Sequence, residues 1–230
     1  MNYRALLIAP LAALVLSAGA TGLTLPDGWR TSTVAFPLDV KAGPKLDGYE
    51  IGIDTALSGA SPSLTVRSRF AQNPAAILNV GRAFQTVTGY AGQRVRFSGQ
   101  VRAEAASRWA GLFLGLGDDD VLMPVMLGQP GVEDRLPLGA AVPAADGVWR
   151  EVSVVLDVPA DAPFLTLGVA LVGEGQVWVR ELKFDVVGPE LATSTTPVGI
   201  DWAQGRRSIE SERAAMALLP PQPLRNAALD

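Results

Sequence analysis

The chain has 230 residues, 48% hydrophobic and 18% charged, with 19 basic against 23 acidic side chains and a formal net charge of −4. This composition fits one sizeable core with tails and argues against wholesale disorder; so mild a charge attracts neither nucleic acid nor an anionic membrane. With no cysteine and no histidine, disulfides, thiolate nucleophiles, Ser-His-Asp triads and Cys or His metal sites are excluded, while carboxylate, lysine and tyrosine chemistry stays open.

At the N-terminus, "MNYRALLIAPLAALVLSAGA" has one positive charge at Arg4, an apolar run from Ala5 to Leu16 and the small residues Ala18-Gly19-Ala20. This is the pattern of a signal peptide over 1–20, too short and Pro-broken for a membrane span. The alternative is an uncleaved anchor. Cleavage after Ala20 removes Arg4 and takes the net charge from −4 to −5. The expected location is a bacterial periplasm or the exterior, where a chain without cysteine relies on its core alone.

From Gly22 to Val187, short runs of β-branched and aromatic residues alternate with Gly, Pro, Asp and Asn. That predicts an all-β sandwich or barrel over 22–187. In "YEIGID" Tyr49, Ile51 and Ile53 share a face. In "SLTVRSRF" Leu64, Val66 and Phe70 oppose Thr65, Arg67 and Arg69. "RVRFSGQVR" points Val95, Phe97, Gly99 and Val101 inward, and Arg94, Arg96, Ser98, Gln100 and Arg102 outward. "WAGLFLGLG" (109–117) and "FLTLGVALVG" (164–173) are apolar on both faces, as strands covered on both sides are. "VWREVSVVLDVP" puts Val152, Val154, Leu156 and Val158 on one side, with Trp149 opposite them. In the closing run, counting in twos from Trp178 reaches Arg180, Leu182, Phe184 and Val186, so Trp178 is expected in the core. Arg180 is then core-facing, and a buried guanidinium needs a partner.

After Val187 the composition shifts. "GPELATSTTPVGIDW" reads as a linker, "SIESERAAMALL" (208–219) as a short helix capped by Ser208 and stopped by Pro220-Pro221, and the remainder as an extended tail. Residues 188–230 are thus expected as linker, short C-terminal helix and tail, with disorder the favoured state of the tail.

The stretch from Trp29 to Val187 resembles the galactose-binding-like and carbohydrate-binding-module jelly rolls. It is most similar to bacterial envelope domains often fused to tail-specific-type serine peptidases or helix-turn-helix regulators. The residues behind the resemblance run in order: Gly28-Trp29, "YEIGID", "SGASPSLTVRS", "FQTV" (84–87), "YAGQRVRFSGQVRAE" (90–104), "WAGLFLGL", "VWREVSVVLDVPADA" (148–162) and "GEGQVWVRELKFDVV". Neither fusion partner has a counterpart in these residues, so the resemblance implies a lone module, an all-β jelly-roll β-sandwich of two antiparallel sheets over 22–187. Where the family commonly carries Asp-Asp after the closing aromatic, this chain has Arg180-Glu181. A guanidinium repels cations, which puts the structural calcium of many such domains in doubt.

The expected function is a non-catalytic binding module for carbohydrate or cell-envelope glycan. Aromatic faces stack on sugar C–H groups while planar polar side chains bond hydroxyls, and the residues of that type are Trp149, Trp109, Arg96, Gln100, Arg94 and Arg102. Arg67 and Arg69 extend the positive face if their strand lies in the same sheet. Trp29 is expected to plug one end of the sandwich. The alternative is a periplasmic interaction or accessory protein with no sugar ligand, contacting a protein through the tail around Trp202. Asp118, Asp119 and Asp120 form a weak calcium candidate on a turn, where Asp is common anyway. No cofactor, no nucleic acid and no span after cleavage are expected. The carboxylates are scattered without a pair that would suit glycoside hydrolysis, so an enzyme is not expected.

Overall fold

The computed structural model describes residues 23–34, 48–56, 61–69, 80–115, 139–141, 146–162, 164–194 and 220–229. Ten strands run in chain order: β1 (Arg30–Val34), β2 (Tyr49–Asp54), β3 (Ser63–Ser68), β4 (Val80–Val87) and β5 (Arg94–Glu104), then β6 (Trp109–Gly115), β7 (Gly139–Ala141), β8 (Arg150–Asp157), β9 (Leu165–Val172) and β10 (Gln176–Val186). They form two antiparallel five-stranded sheets, ordered β1-β4-β9-β6-β7 and β2-β3-β10-β5-β8. Most successive strands cross from one sheet to the other, the jelly-roll winding that the resemblance implies. Among the described residues no helix is long and apolar enough to cross a membrane. The N-terminal segment 1–20, Asp118 to Asp120, Trp202 and the predicted helix 208–219 lie outside the described residues.

Alternation decides which side chains fill the space between the sheets. Val95, Phe97 and Val101 of β5 are fully buried there beside Leu64 and Val66 of β3, facing Leu112 and Leu114 of β6 and Leu165, Leu167 and Leu171 of β9. Each such side chain is worth about 1.5–3 kcal/mol for leaving water. β6 and β9 are buried along their whole length, as their doubly apolar sequences predict. Their other face joins a second cluster of Val80, Phe84, Trp109, Phe113, Ala170 and Val172 on the far side of the first sheet. Tyr49 is held in the main core, donating from its hydroxyl to the Gly173 carbonyl at 2.8 Å, and burial pushes that phenol well above the usual tyrosine range. Its ring lies against Gly81, where an added Cβ would fall 2.4 Å from the ring.

β10 departs from strict alternation. Val177 and Val179 point into the core, and so do Leu182 and, partly, Phe184. The parity changes because the register against β5 jumps from Arg180↔Gln100 to Lys183↔Ser98, leaving Glu181 and Leu182 opposite the single residue Gly99. Glu181 sits at φ 53° at the jump, a β-bulge. Gly99 lies across from it, where a Cβ would fall 2.7 Å from the Leu182 side chain and 3.1 Å from the Arg180 carbonyl oxygen. The expected core face of Trp178 and Arg180 is therefore corrected. Both belong to the outer face, and the period-two count fails because one residue is extra.

The expectation of a disordered tail is also corrected at its end. Residues 220–229 lie along the sandwich, and Leu229, 1% exposed, joins the main core. The chain after Val187 is tied down as well. Arg94 donates to the carbonyls of Pro189 and Leu191, and Ser194 exchanges hydrogen bonds with the backbone of Val155.

Candidate functional site

The outer face of the β2-β3-β10-β5-β8 sheet is a ladder of polar rows fixed by strand register. One row runs Gly52, Thr65, Trp178, Arg102, and on one side of it lies Glu50, Arg67, Gln176, Glu104. On the other side, Arg180 is opposite Gln100, which is opposite Glu151, followed by Lys183, Ser98 and Ser153 and then Asp185, Arg96 and Val155. β3 and β5 flank β10 in one sheet, so the arginines of both strands do share a face.

Two tryptophans anchor this face. Trp178 is only 4% exposed although it points away from the core. Its indole N–H donates to Asp54 Oδ2 at 2.9 Å, and the Arg102 guanidinium lies 5.3 Å from its ring centroid. Arg102 is itself ion-paired with Glu104. Trp149, which enters β8, is half-buried, with the Arg180 guanidinium stacked 4.2 Å from its ring centroid and Glu181 3.8 Å from Arg180. Arg180 thus finds its partner in an aromatic face rather than in a buried carboxylate, a geometry that favours the planar guanidinium. Gln100, the register partner of Arg180 on β5, brings an amide beside this pair.

The remaining charges are largely neutralised. Arg67 pairs with Glu50, Arg69 with Glu50 at 3.6 Å, Arg96 with Asp185 at 3.0 Å and Arg150 with Asp146 at 2.6 Å. Arg94 grips Asp157 with two bonds of 2.6 and 2.7 Å besides its two backbone carbonyls, so four of its donors are engaged. These contacts hold the Glu50, Asp146 and Asp157 carboxyls below the usual carboxylate range, mainly through hydrogen bonds from Arg67, Arg150 and Arg94 respectively. Thr65 donates to the Val177 carbonyl at 2.8 Å and accepts from the Gln176 amide at 3.0 Å, knitting β3 to β10.

Of the residues expected at the site, Trp149, Gln100, Arg94, Arg96 and Arg102 lie on or beside this one face. Trp109 does not. It is buried in the second cluster of the opposite sheet, because β6 pairs with β9 there and odd positions of β6 turn away from the main core. Trp29 plugs the end of the core as expected, 5% exposed. The contributions of Trp178, Asp54 and Arg180 were missed, since the bulge that turns two of them outward leaves only a glycine at 99 as its trace in the sequence. Among the described residues no group of three or more carboxylates stands at metal-binding spacing.

Fold and face together define the class: an all-β jelly-roll sandwich with one polar, tryptophan-bearing sheet face. No family model matches the chain. It is 26% identical over 142 residues, 60% of its length, to a Bacillus subtilis (strain 168) protein described as the uncharacterized HTH-type transcriptional regulator YbfP; the match spans 44% of that protein. Among solved structures, the CBM22-1 xylan-binding domain of Paenibacillus barcinonensis Xyn10C aligns with a TM-score of 0.43 at 16% identity, over 71% of this chain and 88% of that one. The C-terminal family 22 carbohydrate binding module of Clostridium thermocellum Xyn10B aligns with a TM-score of 0.42 at 14% identity, over 70% and 88%. The enzymatically active domain of bacteriophage CBA120 tailspike protein 4 gives 0.44 at 10% identity, over 70% of this chain and 20% of that one. At these identities the likeness extends no further than the fold.

Proposed function

We propose that the chain is a non-catalytic binding module that holds a glycan on the outer face of β10, β5 and β8. The observation that carries this reading is the half-buried Trp149 ring, fixed by the stacked Arg180 guanidinium next to Gln100. An indole held in place at the entry to a strand stacks on a sugar ring at little entropic cost, and adjacent amide and guanidinium groups bond its hydroxyls. Three carboxylates of the face fit a non-catalytic role. Glycoside hydrolysis needs an acid held above its ordinary pKa, whereas Glu50, Asp146 and Asp157 are held below theirs by arginines. The module works without a cofactor, so adding calcium or a chelator leaves its melting temperature unchanged. The reading also places the protein outside the cytoplasm, with cleavage after Ala20, which N-terminal sequencing of the exported product checks.

The test is retention on immobilised polysaccharides and a glycan array, comparing the wild type with Trp149→Ala and Gln100→Ala. The expected result is retention by the wild type and at least a tenfold weaker Kd for Trp149→Ala, about 1.4 kcal/mol, with both variants still folded. A wild type that retains no polysaccharide, or a Trp149→Ala protein that binds as well, overturns the proposal.

A further inference from the structure

Residues 220–229, "PPQPLRNAAL", cross one end of the sandwich without joining either sheet. Their backbone is read by three groups. The Thr88 amide donates to the Gln222 carbonyl at 3.0 Å, while the Thr88 hydroxyl accepts from the Gln222 amide at 2.9 Å and donates to the Pro220 carbonyl at 3.3 Å. The Gln85 side chain imitates a neighbouring strand, its Nε2 donating to the Arg225 carbonyl at 2.6 Å and its Oε1 accepting from the Arg225 amide at 3.0 Å. The Trp29 indole N–H reaches the Asn226 carbonyl at 3.5 Å. All three reading groups are nearly buried: Trp29 is 5%, Gln85 3% and Thr88 5% exposed.

The floor of this groove is cut to fit a chain. A Cβ at Gly28 would fall 3.2 Å from the Arg225 side chain and one at Gly89 would fall 2.9 Å from Pro221, both at positive φ. Along the segment Pro221, Pro223 and Arg225 face solvent while Gln222 and Leu224 turn inward, and Leu229 ends the run inside the core. Polar side chains that bond peptide groups, a glycine floor and a leucine seated in the core are the features of peptide recognition. Proline supplies an extended backbone at low entropic cost.

We propose that the groove framed by Trp29, Gln85 and Thr88 is a peptide-binding site for proline-bearing segments whose extended run closes in a turn that buries a leucine, as the turn closed by the Leu229 amide donating to the Asn226 carbonyl at 3.2 Å does here. Residues 220–229 are its tethered ligand, exchangeable with the same segment of a second copy. Tethering gives an effective concentration of order mM, so the uncut chain excludes free competitor. The site is separate from the glycan face, and either can fail without the other.

The experiment uses the full chain carrying a specific protease site within residues 195–219, folded first and then cut. The probe is a fluorescein-labelled synthetic peptide of residues 220–230. The cut protein is expected to stay folded, to exchange its own fragment for the probe, and to bind it at least tenfold more tightly than the uncut chain does. The Leu229→Ala peptide, and the wild-type peptide on a cut Gln85→Ala protein, are each expected to bind at least tenfold more weakly. A cut protein that keeps its fold but takes up no probe overturns the proposal. So does one that unfolds on cutting, since the segment is then an inseparable part of the core. Equal binding of wild-type and Leu229→Ala peptides overturns the assigned anchor and with it the site.

Discussion

At the scale of single residues, Trp178 shows how a side chain can be buried without belonging to the core. Its ring is covered by Arg102 and its N–H is spent on Asp54. Trp178→Phe keeps the apolar bulk and removes both the indole donor and much of the cation–π contact. The cost expected is about 1–3 kcal/mol, since a hydrogen bond to a carboxylate acceptor is lost, and among the described residues Asp54 keeps the one from the Ala56 amide. Urea unfolding with an unchanged slope checks it, and a change under 0.5 kcal/mol would mean that Asp54 is fully resolvated. The indole is thus a clamp between β10 and the end of β2, while the nearby Trp149 keeps the exposure that a ligand would need.

At the scale of the strand, Gly99 leaves room for the bulge of β10 opposite it. Gly99→Ala drives a methyl into Leu182 and toward the Arg180 carbonyl. The expected loss is about 1–3 kcal/mol from overpacking, read as a lower urea midpoint, and a neutral Ala would show that the bulge relaxes freely. Most strands were legible because their alternation is unbroken. In β5 every inward position is Val, Phe or Gly up to Val101, with arginine or a polar residue between, and the buried runs of β6 and β9 announce themselves by lacking any polar side at all. Three things were not legible. A bulge leaves no hydrophobic signal, so Arg180 was counted to the wrong face. Sheet membership of β6 depends on long-range pairing with β9, so Trp109 was placed near arginines that lie across the sandwich. The docking of 220–229 depends on the Gln85 and Thr88 side chains, and no periodicity in a proline-rich segment reports that.

For the whole molecule, the absence of histidine leaves no side chain with an ordinary pKa between pH 5 and 8. The melting temperature is expected to be flat over that range. Glu50, Asp146 and Asp157 have folded pKa values below their unfolded ones. The stability they contribute is present above about pH 4 and is lost as pH falls through the folded values. Tyr49 works in the opposite sense, its folded pKa lying above the unfolded one. Stability linked to it is intact below about pH 10 and declines above that, where the unfolded phenol ionises. A thermal scan from pH 2 to 11 with a Tyr49→Phe control checks both limbs; a midpoint that moves between pH 5 and 8, or a Tyr49→Phe protein with the same alkaline loss, contradicts them.

Glu181 makes β10 a strand with two phases, and the phases can vary independently. The outward residues Gln176 and Arg180 can change without disturbing Leu182 and Phe184, because the phase is reset between them. Removing Glu181 would merge the two. The strand would then alternate without a break, Arg180 outward, Leu182 inward opposite Gly99 and Lys183 outward opposite Ser98, so a one-residue deletion there would be tolerated better than one elsewhere in β10.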